Sequence, residues 1–99
     1  MNIKILKLVN GDDVISDVEY KEDKVVLTKP AKVMMFPTEE GSMGAALVPW
    51  FSYTEKEEYT IDKNHIIVAD TPSEDFCNAY NEQFGSGIVT VSNPKNLIV

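Results

Sequence analysis

Ile3–Val33, IKILKLVNGDDVISDVEYKEDKVVLTKPAKV, decides the fold. Within it Val14, Ser16, Val18 and Tyr20 alternate with Ile15, Asp17 and Glu19. A period of two predicts a strand with one buried and one wet side. Asn10-Gly11-Asp12-Asp13 separates this strand from the apolar run Ile3–Val9, and Lys21-Glu22-Asp23 separates it from Lys24–Thr28. Both breaks have hairpin chemistry, because Asn-Gly tolerates positive φ and the charged trio stays in water. The stretch therefore predicts a bent three-stranded meander. Pro30 interrupts the third strand, which resumes at Lys32–Phe36. Proline cannot donate to a ladder, so it marks an edge, a bulge or a sharp bend, as a small barrel needs.

Beyond the meander, Pro37–Gly44 is expected to be a loop and Ala45–Tyr53 an apolar strand interrupted by Pro49. Glu55–Glu58 forms a charged turn, and Tyr59–Ile61 and His65–Ala69 are strand-like across Asp62-Lys63-Asn64. One helix is predicted over about residues 72–84, with Thr71 as N-cap, Pro72 at the first helical position and Glu74 closing a capping box. Phe76, Cys77, Ala79, Tyr80 and Phe84 recur at helical spacing, and Gly85 is the expected stop. The tail, residues 86–99, holds one strand candidate at Ile88–Val91 and an apolar end, Leu97-Ile98-Val99.

The chain has 99 residues, the size of one domain. Its formal charge of −7 argues against a broad basic face for nucleic acid or anionic lipid. Any nucleic-acid role must use a small local site or one repeated around an oligomer. A single cysteine, Cys77, allows no intramolecular disulfide and fits a reducing compartment. No apolar run approaches the roughly 20 residues that span a bilayer. Lys4 and Lys7 sit inside the first apolar run, unlike a signal peptide. The expected location is the cytoplasm.

Several residues suggest chemistry. Lys63, Asn64 and His65 could meet phosphate and a base edge of single-stranded RNA; the alternative is a polar turn with His65 entering a strand. Lys21 and Lys24, with Asp23, could form a second half of that site, or a solvated hairpin turn beside Glu22. Trp50, Phe51, Tyr53 and Tyr59 could stack bases, but their apolar character fits barrel core or a subunit interface better. Asp12, Asp13, Asp17, Glu19 and Glu22 do not have the spacing of a cation loop. With one histidine and one cysteine, no metal site and no cofactor is expected. No nucleophile–base pair or phosphate-cradling loop is visible, so an enzyme is not expected.

The meander LVNGDDVISDVE, then VVLTKPAKVMM, LVPWFSY and IDKNHIIVADTPSEDFCNAYNEQFGSGIV, together resemble the Sm-like (LSm) family. Over nearly the whole chain they resemble the Sm-like proteins of T4-like cyanophages. The resemblance implies a mostly β fold: a small, strongly bent five-stranded open barrel over about residues 3–69, here followed by its helix rather than preceded by one. It also implies a homo-oligomeric ring, in which strand four of one subunit pairs with strand five of the next. Trp50, Phe51, Tyr53, Ile66 and Val68 would lie at that interface. It places Lys63, Asn64, His65, Lys21 and Lys24 toward a pore where RNA could bind. Lys21-Glu22-Asp23-Lys24 lacks the Met-Asn of uridine-binding relatives, and Asp62-Lys63-Asn64-His65 stands where they carry Arg-Gly-Asp. Two functions are therefore expected of such a ring, in the host cytoplasm if it is phage-encoded: an RNA-binding protein, or an adaptor for a phage or host protein, using the Glu39-Glu40-Gly41 loop and its acidic surface.

Overall fold

A computed structural model describes residues 1–84. Its elements are β1 (Ile3–Leu8), β2 (Asp13–Lys21), β3 (Lys24–Pro37), β4 (Met43–Pro49), β5 (Glu58–Asp62), a 3-10 turn (Lys63–His65), β6 (Ile66–Asp70) and α1 (Glu74–Phe84). All strand pairings are antiparallel, in the order β4-β3-β2-β1-β6, and β5 also pairs with β3. The expected mostly β architecture with a single late helix is present. Gly85, the strand candidate Ile88–Val91 and the rest of the tail lie outside the described residues.

The third strand carries the bend. β3 pairs with β5 through Lys24–Thr28 and with β4 through Ala31–Pro37, both on the edge away from β2. Between the two halves, Lys29 adopts φ 52, a left-handed conformation uncommon outside glycine. The Lys29 N–H donates to Glu57 O, and Pro30 O accepts the Trp50 N–H at 3.0 Å. Both flanks of the bend thus hold the excursion that joins β4 to β5. The apolar run Ala45–Tyr53 is consequently not one strand. β4 stops at Pro49, and Trp50 to Tyr53 leave the sheet, because the β3 ladder turns away at Pro30. The expected loop Pro37–Gly44 is also shorter than predicted: β3 and β4 continue to Pro37 and Met43, and Thr38 N–H to Ser42 O at 2.8 Å closes the turn.

The alternation in β2 is broken by a bulge between Ile15 and Asp17. Val14, Ile15 and Ser16 are all buried. Val14 and Val18 join Leu6, Leu8, Val25 and Leu27 in one cluster, against which Trp50, Ile61 and Ile66 pack. Ile15 joins Ala31, Leu47, Ala79 and Tyr80 in a second. The side of β2 expected to be wet is therefore covered in part by α1. That follows from the helix's apolar stripe, Phe76, Ala79, Tyr80 and Phe84, which needs a sheet face to bury.

Tyr80 fastens the helix to the bulge. Its hydroxyl accepts the Asp17 N–H at 3.2 Å and lies 2.9 Å from Thr28 O and 3.1 Å from Lys29 O. Ser16 Oγ lies 2.9 Å from Asp17 O and 3.0 Å from Thr28 O. Backbone groups released by the bulge and the bend are thus satisfied by two side chains. Burial pushes the Tyr80 hydroxyl pKa up, against the opposing bond to Asp17 N–H. The helix start differs from the capping box predicted around Thr71. Ser73 takes the N-cap role, with its Oγ 3.5 Å from Phe76 N and its carbonyl accepting the Cys77 N–H at 2.9 Å. The Thr71 hydroxyl instead accepts from Lys4 Nζ at 3.1 Å.

Candidate nucleic-acid interface

Two short turns build the site. Lys21 and Lys24 pair across a two-residue hairpin, which Glu22 permits by adopting φ 53. The second turn opens with Asp62, whose Oδ1 accepts the Asn64 N–H at 2.9 Å and so caps the 3-10 turn. Because β5 pairs with the first half of β3, Lys24 stands opposite Asp62. The turns also bond directly: the Lys63 N–H donates to Asp23 O at 3.0 Å. Lys24 Nζ lies 3.3 Å from Asp62 Oδ2. Lys63 Nζ sits 5.9 Å from the centre of the Tyr20 ring, a cation–π distance. The His65 carbonyl accepts the Val9 N–H at 2.9 Å, which brings the β1–β2 turn alongside.

Lys21, Lys24, Lys63, Asn64 and His65 thus gather from turns about forty residues apart, and all are exposed. Their charge is moderated locally. The Asn64 backbone N–H, and then Lys24, hold the Asp62 carboxyl below the usual range. Lys21 Nζ lies 3.9 Å from Glu19. Lys63, paired with an aromatic face rather than a carboxylate, is the cation best placed to meet a phosphate. Tyr20, which is 47% exposed, completes the group with a ring suited to base stacking. Sequence reading placed Tyr20 only in a strand alternation. Its signal was its position, an aromatic residue directly before a charged hairpin turn.

The expected interface residues separate. Ile66 packs on the inner cluster, whereas Ile67 and Val68 are exposed on β6. Among the described residues β6 pairs only with β1 and β4 only with β3, so within residues 1–84 each has one edge without a partner strand. Trp50 is half-buried, and its Nε1 donates to Asp12 Oδ2 at 3.0 Å. Phe51 and Tyr53 are exposed on the β4–β5 excursion, so of the two expected places, barrel core or subunit interface, the core is corrected for these two rings. Phe51 stands edge-to-face with Tyr53 and Tyr59 at 5.4 and 5.6 Å. The Tyr59 hydroxyl lies 2.7 Å from Thr54 Oγ1 and 2.9 Å from Lys56 O, organising the excursion around itself.

The acidic residues are dispersed over several partners. Asp12 bonds Trp50 and lies 3.3 Å from Lys32, and these contacts lower its pKa, the Trp50 bond most. Asp13 lies 2.7 Å from Lys7, and Asp17 accepts the Asn2 N–H at 2.9 Å. Among the described residues no cluster of three or more histidine, cysteine or carboxylate side chains could hold a metal, and no helix is long and apolar enough to cross a membrane.

In comparison with known proteins, the family model of the Sm-like domain matches residues 5–81. No curated protein matches the chain.

Proposed function

This chain belongs to the Sm-like family, and from that premise we propose that it forms a homo-oligomeric ring that binds single-stranded RNA at its pore. The observation that carries the reading is the meeting of the two turns. Lys24 reaches Asp62, Lys63 bonds Asp23, and Lys63 covers Tyr20. In this reading Lys63 meets phosphate, with Lys21 and Lys24 in support. Asn64 and His65 contact base edges, and Tyr20 offers a stacking face. Ring formation is supported by the edges of β4 and β6 that have no partner strand among the described residues and that carry exposed Val48, Ile67 and Val68. Head-to-tail pairing of the two edges would cover them and close on itself. Repetition around the ring turns a weak site into useful avidity despite the charge of −7. An origin in a phage, acting in the host cytoplasm, belongs to the same reading and rests on the sequence resemblance.

Fluorescence anisotropy with labelled oligo-U and oligo-A, titrated with salt, tests the function. Binding that weakens as salt rises is expected, and Lys63→Ala with His65→Ala should abolish most of it and flatten the salt slope. Unchanged affinity in that double variant would refute the pore site. A second reading, a ring that serves as an adaptor for a phage or host protein, is favoured by the carboxylates interleaved with the lysines at the turns. Absence of RNA binding at low salt, with a nuclease-resistant protein partner, would select it.

A further inference from the structure

A cleft of about 450 Å³ lies between the β4–β5 excursion and the end of α1, within the size range of ligand pockets. It is separate from the pore turns: β5 begins beside it and ends at Asp62, roughly 13 Å further along the strand. Phe51, Tyr59 and Phe84 give it three aromatic walls. Gln83 also lines it, and among the described residues Gln83 Oε1 is buried with no hydrogen-bond partner. The preceding residue repeats the pattern, since Glu82 Oε2 is likewise buried and unpartnered. Both oxygens belong to the last turn of a helix, whose dipole adds negative potential. Polar groups so placed call for a hydrogen-bond donor.

The charges narrow the donor. Lys29 and Lys56 line the cleft together with Glu55 and Glu57, and an adjoining depression adds Glu58 to Glu55, Lys56 and Glu57. The excursion side is thus net acidic. Aromatic faces, glutamates along the excursion edge (Glu55, Glu57 and, beside them, Glu58) and a buried acceptor together suit a planar cation with several N–H donors, which is a guanidinium, although Lys29 and Lys56 balance Glu55 and Glu57 within the cleft itself. Residues 1–99 contain nine lysines and no arginine, so these residues of neither this subunit nor a second copy supply one.

We propose that the cleft receives an arginine side chain of a partner protein, its guanidinium lying against Phe51 and Tyr59 and donating to Gln83 Oε1. Lysine cannot substitute, because an ammonium offers a compact point charge instead of a stacking plane. This site does not depend on the pore reading.

The test is anisotropy of a labelled Ala-Arg-Ala-Arg-Ala peptide with the full chain at 150 mM salt, beside matched peptides carrying lysine or citrulline. The arginine peptide should bind at least about tenfold tighter than either, given the usual strength of a desolvated cation–π contact. Phe51→Ala and Gln83→Leu should each weaken it by roughly tenfold, with circular dichroism confirming that both variants fold. Lys63→Ala with His65→Ala should leave it unchanged. Equal binding of the lysine peptide would reduce the effect to diffuse acidic attraction and overturn the proposal. Absent arginine binding, together with oligo-A affinity that Phe51→Ala removes, would assign the cleft to a nucleobase and overturn it equally.

Discussion

Replacing Tyr80 with phenylalanine removes one oxygen and keeps the ring in its cluster. That oxygen accepts the Asp17 N–H and faces the carbonyls of Thr28 and Lys29. Thr28 O retains Ser16 Oγ at 3.0 Å, so the carbonyl side is partly rescued. The Asp17 N–H loses this acceptor. A single net bond contributes about 1 kcal/mol, and an orphaned shielded donor costs about 1–3 kcal/mol. With one donor stranded and one carbonyl retained, the expected loss is about 1.5 kcal/mol. For a domain of this size that corresponds to a drop in Tm of roughly 6–12 °C. The assay is thermal or urea unfolding at one fixed protomer concentration, because an oligomer's apparent stability depends on concentration. Alkaline titration supplies a second signature. The folded Tyr80 pKa is raised above the unfolded value near 10, so its contribution is complete below that value and declines as pH rises through the folded pKa. The phenylalanine variant should show a shallower loss of stability above pH about 10. A variant within about 0.5 kcal/mol of the parent, with the same alkaline profile, would refute the claim that Tyr80 satisfies the bulge.

Asp12 should act at the other end of the pH scale. Its pKa is lowered by the Trp50 bond and then by Lys32, so its stabilisation is present above the unfolded value near 3.8 and is lost as pH falls through the folded pKa. Tryptophan fluorescence followed through acidification should report release of Trp50, and Asp12→Asn should remove that transition. If the proposed ring forms through the β6 edge, a charge introduced there by Val68→Lys should reduce the particle mass measured by light scattering, whereas the circular dichroism of the subunit stays unchanged. Gly41 sits at φ 84 with open space around it, so Gly41→Ala should cost about 1 kcal/mol in urea unfolding through backbone strain alone.

The meander was legible because its alternation and its turn residues agree. Asn10-Gly11 and Lys21-Glu22-Asp23 mark turns by local chemistry, and the strands between them follow. What escaped was long-range. Nothing local to Ser16 announces a bulge, since its role depends on Tyr80 and Thr28 arriving from elsewhere. Trp50 was visible as too apolar for open water, but its bond to Asp12 spans 38 residues. Thr71-Pro72-Ser73-Glu74 contains two residues able to cap, and the choice of Ser73 accompanies the draw of Lys4 on Thr71. The candidate site followed the same rule. Lys21, Lys24, Lys63, Asn64 and His65 were each visible as turn residues, and only the register of β5 on β3 brings the turns together. Tyr20 then enters from the strand beside them.

The bond between Tyr80 and the β2 bulge also sets an order of events during synthesis. A chain emerging from its N-terminus presents β1 to β6 before Tyr80 is available. Until then Ile15, Ala31 and Leu47 lack the aromatic cover that α1 provides, and the Asp17 amide lacks its acceptor. The nascent sheet can pair its strands, yet its second core stays open to water. Completion of the second core therefore requires residue 80, and a chain truncated before it would leave one face of the sheet unfinished.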